Sequence, residues 1–408
     1  MLATLAWRNL WRHKRRSLIT AFAMAIAVAL CMAMTAFSDG MGNKMFEVMV
    51  EQQLGHVQVH HPDYPTGRKM YDTVPEAAAT LQALHALPQV AHSAARLMGF
   101  ALIGGDNKTV GGQLVGVQPS EEVSVTGADQ RIVEGRFLSD ENTGEIVLGV
   151  GLAEEIEATI GSTVVVVTQA ADGSLGNALY TVVGFFQTGN AALDKAGSMM
   201  RLVDLQELLA LPDQVHKITV LGVDTDDLEG LKQAVIHAAP PTAQVQTWQE
   251  ASPQAEQMMA MMDVSSALML GIVFAVASFG VLNTMAMSVF ERTRELGVLK
   301  AIGLRPSKLI QLVVTESFFL AGLAGGIGFT LGGLLDLYLV NVGIDISGGN
   351  DKGMSFQGVT LDPVMKGTVE PASILAILVS LVLVSVGASL IPAWRASRLD
   401  PVEAIRTE

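Results

Sequence analysis

Apolar positions gather into four long runs, one near the start of the chain and three crowded into its last third: Ser17–Phe37, Val264–Phe290, Leu309–Leu335 and Ala372–Ala393. Glu316, in the third run, is the one Asp, Glu, Lys or Arg that any of them contains. About 20 apolar residues of helix cross a bilayer's hydrocarbon core, and within lipid only a helix or a closed barrel satisfies its own backbone. The pattern predicts four transmembrane helices, with the large segment 38–263 inserted between the first and the second. The remaining pieces are an N-terminal flank at 1–16, a loop at 291–308, a loop at 336–371 and a tail at 394–408.

Inside the insert the period changes. Alternation in His56–His60 suits a half-buried strand, as it does in Gln113–Val117, Glu145–Leu148, Thr163–Thr168, Tyr180–Phe185 and Lys217–Val223. Turn residues at Gly104-Gly105-Asp106-Asn107 and Asp172-Gly173 separate several of them. Helical periodicity falls at Val74–Leu87, Leu152–Ile160, Val203–Leu211 and Leu228–Ala239, the last preceded by Asp226-Asp227 as a cap. A Gln- and Met-rich stretch from about Trp248 runs into the second span and predicts one long stalk helix. The fold class expected is thus an α-helical membrane protein with four transmembrane helices and a large mixed α/β exterior domain inserted between helices 1 and 2.

Charge orients this arrangement. Arg8, Arg12, Lys14, Arg15 and Arg16, then Arg292, Arg294, Lys300, Arg305 and Lys308, then Arg395, Arg398 and Arg406 are 13 of the chain's 26 Lys and Arg. Excess Lys and Arg marks the cytoplasmic side, which puts both termini and the 291–308 loop inside the cell, and the insert and the 336–371 loop outside. The net charge of −14 falls almost wholly on the exterior part and argues against nucleic acid as a partner. Leu5, Trp7, Leu10 and Trp11 alternate with Arg8, Arg12 and Lys14, a pattern that suits an amphipathic helix lying in the cytoplasmic interface. The first apolar run is longer than the roughly 7–15 residues of a signal peptide's apolar core. The single cysteine, Cys31, lies inside that run, so the exterior domain is held by its core rather than by a disulfide.

Catalytic motifs find little support. Gly104-Gly105-Asp106-Asn107-Lys108-Thr109 lacks the glycine that directly precedes the lysine of a phosphate-binding loop, and Ile346-Ser347-Gly348-Gly349-Asn350 falls on the exterior side. Strand alternation sets His56 and His60 on one face and His61 on the other, with no Cys or further His nearby in sequence, so no metal site is expected. A channel or secondary transporter usually carries several intramembrane charges or broken helices, whereas here Glu316 stands alone near the cytoplasmic edge and reads as a carboxylate paired with a cytoplasmic Lys or Arg. Gly322-x-x-x-Gly326 and Gly328-x-x-x-Gly332 allow close helix approach, either to a second copy of the permease or within one chain.

Two segments carry a family resemblance. Phe290–Leu304 reads Phe-Glu-Arg-Thr-Arg-Glu-Leu-Gly-Val-Leu-Lys-Ala-Ile-Gly-Leu, and the tail reads Pro-Ala-Trp-Arg-Ala-Ser-Arg-Leu-Asp-Pro-Val-Glu-Ala-Ile-Arg from Pro392. Together with Trp7-Arg8-Asn9-Leu10, Asn283 and Glu316, they closely resemble the FtsX-like/MacB-type ABC transporter permease family, which includes the MacB exporter and the lipoprotein-releasing permeases LolC and LolE. Gly55–His60 with Tyr64, Gly144–Gly149, and Gly184 through Gln206 lean toward the LolC/LolE side. The resemblance implies a mechanotransmission subunit in which two permeases pair with two copies of a separate cytoplasmic ABC ATPase. ATP and Mg2+ would belong to that ATPase, with no cofactor on this chain. It further implies that Arg292, Arg294, Glu295, Leu296, Gly297, Val298, Leu299, Lys300, Ile302 and Gly303 form the coupling helix. Leu296, Val298, Leu299 and Ile302 would be its buried contacts with the ATPase, and Arg294, Glu295 and Lys300 its polar anchors. The cargo implied is a lipoprotein leaving the inner membrane, with MacB-like peptide or drug export and FtsX-like control of cell-wall hydrolases as alternatives. One departure bears on a periplasmic chaperone as partner: the interval Gln169–Leu179 is short and lacks the proline of LolC's chaperone-capturing hairpin.

The charge bias makes a testable prediction of topology. Cysteines placed at Asp172 and Asp351 should react with an impermeant thiol reagent in intact cells, and cysteines at Ser307 and Thr407 should not. Labelling at Ser307 would reverse the orientation.

Overall fold

The structure, a computed structural model, describes residues 2–398 except 13, 68, 106–107, 225–226, 346–353, 357–358 and 362–363. Part of the glycine turn at 104–107, the Ile346–Asn350 loop and the tail beyond Arg398 therefore lie outside the described residues. The chain forms two compact units, one helical and one α/β, the latter built mainly on Lys44–Met259.

The helical unit contains an N-terminal helix, Leu2–Arg12, and four long helices at Lys14–Phe46, Pro253–Glu291, Pro306–Asn341 and Pro371–Ser397. All four are long and apolar enough to cross a membrane. Proline opens the second, third and fourth, where its missing N–H costs nothing and its fixed φ suits the first turn. The predicted stalk from Trp248 is interrupted. Trp248–Ala251 is a separate turn closed by a capping box between Thr247 and Glu250, and Ser252 leaves helical geometry at φ −139, ψ 79 before Pro253 starts the long helix. The sequence reading overlooked that a proline one residue beyond a short turn acts as a restart. All four long helices and Leu10 of the N-terminal helix contribute to one apolar core, among them Met24, Val28, Val281, Leu320 and Leu381.

Glycine spacing in the third long helix divides by face. A Cβ at Gly328 would stand 2.7 Å from Val28 Cβ and 2.9 Å from the Ala25 carbonyl, and one at Gly332 would stand 2.6 Å from Met32 Sδ. Gly328 and Gly332 thus let the first and third long helices touch backbone to side chain within one chain. Nothing lies within 4 Å of a Cβ built at Gly322 or Gly326.

The α/β unit is organised by a ten-stranded sheet. Its strands in chain order are β1 Val57–His60, β2 Val90–Gly104, β3 Thr109–Val117, β4 Ile132–Gly135, β5 Glu145–Gly149, β6 Thr163–Gln169, β7 Leu175–Phe186, β8 Gly197–Arg201, β9 Lys217–Gly222 and β10 Gln244–Thr247. Pairings β2–β3, β3–β8, β8–β5, β5–β7, β7–β6 and β6–β2 close a ring of six strands. The long β2 makes this possible: its first half pairs with β9, which carries β1 and β10, and its last residues, Leu102–Gly104, pair with β6. Alternate residues fill the interior, including Ile103, Leu114, Ile146, Leu148, Val164, Val166, Val182 and Met200. A closed ring leaves no unpaired edge among its members.

Several predicted boundaries change for backbone reasons. The expected helix at Val74–Leu87 is a two-residue strand, Val74–Pro75, followed by a helix at Ala77–His85, with Glu76 between them at φ 54. The helix expected at Leu152–Ile160 is Val150–Ile156, and the one expected at Val203–Leu211 is Leu202–Leu209; each stops at a left-handed residue, Glu157 at φ 59 and Ala210 at φ 53. Asp227 caps the helix Leu228–Ala238, its carboxylate accepting from the Gly230 N–H at 3.0 Å. The β6–β7 ladder continues to Gln169 opposite Leu175, so the hairpin closes over Ala170–Ser174.

One buried ion pair fastens the periphery of the sheet. Arg96 on β2 donates from Nε and Nη2 to both oxygens of Glu122, at 2.9 and 2.7 Å, and from Nη1 to the Gln53 carbonyl at 3.0 Å. Both side chains are buried, and together they hold the helix Pro119–Thr126 and the π-helical segment Glu47–Leu54 against the strand. Removing one member of such a pair strands a charge and costs about 3–5 kcal/mol. Glu122→Ala should therefore lower thermal stability markedly while Glu121→Ala, one residue earlier, should not; equal melting temperatures for the two variants would contradict the assignment.

Candidate functional site

The short helix Thr293–Ala301 sits between the second and third long helices and carries most of the residues picked out by sequence. Its inward side is apolar: Leu296 is 2% exposed and packs with Val289, Leu309, Val313, Ala393 and Ala396. Gly303 ends it in the left-handed region at φ 100, while the Leu304 N–H bonds back to the Leu299 carbonyl at 3.0 Å. That closure satisfies carbonyls the helix end would leave open and suits glycine at this position. Lys300 donates to the Ser397 carbonyl at 2.8 Å, placing a cation at the C-terminal end of the fourth long helix, where the helix dipole favours it.

Behind this helix lies a polar network centred on Glu316. The Glu316 carboxylate is buried and accepts from Arg292 Nη1 at 2.9 Å and from Asn9 Nδ2 at 2.6 Å. Arg292, also buried, donates from Nε to Glu295 at 3.3 Å, and Glu295 accepts in addition from Arg12 at 2.5 Å. A parallel bond joins Arg16 to Glu291 at 2.6 Å. Trp7 packs edge-on against Phe319 at 5.5 Å, so the N-terminal helix meets the third long helix through an aromatic contact as well. In this way Asn9 and Arg12, the 291–295 segment and Glu316 are joined into one assembly.

The ten residues expected to form a single contact surface thus divide in two. Leu296 and Gly297 are buried, Glu295 and Arg292 belong to the internal network, Lys300 is engaged with Ser397, and Leu299 packs partly against the core. Leu296 therefore faces the core, and Lys300 is tied to the fourth long helix, whereas Glu295, bonded to Arg292 and Arg12, keeps a side chain that is 42% exposed. Arg294, Val298 and Ile302 remain open, with Val298 44% and Ile302 75% exposed. Arg305 is also exposed, but it lies beyond the left-handed Gly303, in extended conformation at the start of the third long helix, so it is not part of this helix face.

The α/β unit holds a second feature, a cavity of about 560 Å³ bordered by Met98, Val115, Phe137, Phe186 and Met199 together with Arg131. This is within the size range of small-ligand pockets. His216 stands at its wall. The Met98 N–H donates to His216 Nδ1 at 3.0 Å, which leaves Nε2 to carry the proton and donate to the Met70 carbonyl at 3.2 Å. Burial pulls this imidazole below the usual histidine range, so the ring is neutral at pH 7. His56 and His60 are likewise buried and engaged, His56 accepting from the Gly222 N–H and His60 lying between Gln246 and the His61 carbonyl.

Comparison with known proteins bears on both units. The family model described as the MacB-like periplasmic core domain matches residues 17–238, and that described as the FtsX-like permease C-terminal matches residues 267–401. A lipoprotein-releasing system transmembrane protein LolC from Neisseria meningitidis serogroup B is 26% identical over 324 residues, covering 76% of this chain and 76% of its own length. A LolC from Xylella fastidiosa is 21% identical over 98% of this chain and 97% of its own length. A macrolide export ATP-binding/permease protein MacB from a Shewanella species is 23% identical over 97% of this chain and 59% of its own length.

The network predicts a large effect from a single carboxylate. Glu316→Ala should leave the buried Arg292 with only the longer bond to half-exposed Glu295 as counter-charge, at a cost approaching about 3–5 kcal/mol, whereas Asn9→Ala should cost about 1–3 kcal/mol. Thermal unfolding of the purified protein checks this order, and a Glu316→Ala variant as stable as wild type would show the network to be dispensable.

Proposed function

Since this chain belongs to the ABC transporter permeases with a MacB-like periplasmic core domain and an FtsX-like C-terminal half, we propose that it couples ATP hydrolysis in a separate cytoplasmic ATPase to the release of lipoproteins from the inner membrane. The observation that carries the coupling role is the strip Arg294, Val298 and Ile302, left open along the helix and its C-terminal cap, with Arg305 exposed just beyond it and the helix's other side held by Leu296 and Lys300. An apolar centre between two cations suits an apolar, acid-rimmed groove on a partner. A push on that helix is delivered through Arg292 to Glu316 on the third long helix and through Glu295 to Arg12 of the N-terminal helix.

Both termini and this helix are assigned to the cytoplasm, and the α/β unit to the periplasm, on the strength of the Lys and Arg bias. The long helix Pro253–Glu291 serves as the stalk that carries motion to the exterior domain, shorter at its start than the sequence pattern suggested. Gly322 and Gly326, bare on their face of the third long helix, are assigned to contact with a second permease copy. Lipoprotein release is the preferred work because LolC proteins of two organisms match this chain. Export of another cargo in the manner of the MacB relative is the second reading. It is favoured by the short β6–β7 hairpin, which has no proline and only Ala170–Ser174 between its paired ends, and which makes capture of a periplasmic chaperone by that hairpin the weaker assignment.

Purification of the complex from its native membrane tests the reading. Val298→Asp with Ile302→Asp should abolish co-purification of the ATPase while leaving the permease inserted, and retained ATPase at the wild-type ratio would overturn the coupling surface. Four glycines inserted near Glu256 disfavour helix by about 1 kcal/mol each. They should preserve ATP hydrolysis but stop lipoprotein release. Release at the normal rate per ATP would exclude the stalk as the transmitting element.

A further inference from the structure

A strap of chain leaves the end of β1 at His61 and returns to the short strand Val74–Pro75. Its middle forms one wall of the cavity in the α/β unit: Tyr64, Pro65 and Met70 all border it. Tyr64 stacks on His216 with ring centroids 4.8 Å apart and planes 17° from parallel, and the Met70 carbonyl accepts from the same histidine. The strap's middle is therefore tied to the domain at one neutral imidazole, and Met70 also packs against the apolar core.

The two ends of the strap meet in a different kind of cluster. His61, Asp63 and Asp72 each offer a ligand atom, and these atoms lie within 4.8 Å of one another. Asp72 Oδ2 is buried and, among the described residues, accepts no hydrogen bond. A buried carboxylate oxygen without a donor is costly, so this atom calls for a positive partner. His61 points Nδ1 toward the same space: it lies 4.0 Å from Asp63 Oδ2 and accepts only a long 3.3 Å bond from the Asp63 N–H.

We propose that His61, Asp63 and Asp72 form a divalent-metal site that fastens the two ends of this strap beside the cavity. The donor set selects the ion. An imidazole with two carboxylates matches zinc, which takes nitrogen and oxygen at about 2.0–2.2 Å in four-coordinate geometry. Calcium and magnesium prefer sets made wholly of oxygen. Water completes the coordination on the exposed side, where Asp63 faces solvent. Binding would hold the wall formed by Tyr64, Pro65 and Met70 in place and so control the opening of the cavity. The sequence offered no sign of this because all three residues lie in the loop beyond β1, with Asp72 at its far end, where no periodic pattern relates them. The site stands independently of the transport reading, since it concerns one loop of one domain.

The test uses the full chain in detergent, with any histidine tag removed, titrated with zinc chloride and with calcium chloride by calorimetry. Zinc should bind at one equivalent, and calcium should not compete. His61→Ala, Asp72→Asn and the exposed Asp63→Asn should each weaken zinc binding by about 100-fold, the upper end of what losing even a supporting group costs. His92→Ala, an exposed histidine outside the cluster, should leave binding unchanged. Zinc should also slow amide hydrogen exchange across residues 63–72. Asp63→Asn keeps the test valid if the half-buried ligands prove necessary for folding. No zinc bound, zinc bound equally well by all three cluster variants, or loss of binding in His92→Ala would overturn the proposal, as would a preference for calcium.

Discussion

A carboxylate placed inside an apolar helix cannot stay charged without a cation and a donor close by, and Glu316 forces the local architecture of the helical unit on that ground. Arg292 must fold back to within 2.9 Å of it, which turns the chain sharply at the end of the second long helix. Asn9 must approach from the other side at 2.6 Å, which holds the N-terminal helix against the third long helix. With Arg292 committed, Glu295 bonds both to it and to Arg12 at the surface, and the short helix Thr293–Ala301 turns Leu296 to the core and Val298 to the open side.

The α/β unit depends on a comparable economy in β2. A strand of ordinary length could pair with β9 or with β6 but not with both, and the ring and its three-stranded extension would then be separate sheets. Because β2 spans Val90–Gly104, the interior of the ring and the core beneath the extension become one continuous apolar cluster. The buried Arg96 sits on this same strand and anchors Glu122 and the Gln53 carbonyl. The elements that frame the cavity are thus referred to a single backbone.

Legibility in the sequence followed the physics of each element. The apolar runs were visible because lipid-length helices need unbroken hydrophobicity, and strands such as Thr163–Gln169 because one face is buried and the other is not. The whole of β2 was missed, its first part because Ser93–Leu97 is buried on both faces and shows no alternation. Helix ends at Glu157 and Ala210 were overrun because left-handed residues other than glycine give no compositional warning. The Glu316–Arg292 pair was foreseeable in kind, as an acid seeking a cytoplasmic cation, but not in partner: Asn9, which is 307 residues away, has no local signal at all. The loop helix was recognised as a unit, yet its division into an inner and an outer face depends on Leu296 packing against Leu309 and Ala393, contacts that no window of sequence contains.

The polar and apolar fastenings of the third long helix also depend on one another. At Gly328 and Gly332 the first long helix approaches so closely that a single methyl group would collide with Val28 or Met32. Nearer the start of the same helix, Glu316 bonds Asn9 in the segment that leads directly into that first long helix. A wider spacing at the glycines would tilt the two helices apart and stretch a 2.6 Å bond whose strength falls steeply with distance. A looser bond at Glu316 would leave an acid in the apolar interior, which no packing at the glycines could offset. The small residues make the polar contact reachable, and the polar contact fixes which of the helix's glycine faces turns inward. Gly322 and Gly326 are consequently left on the open side, not by their own chemistry but by the position of the acid below them.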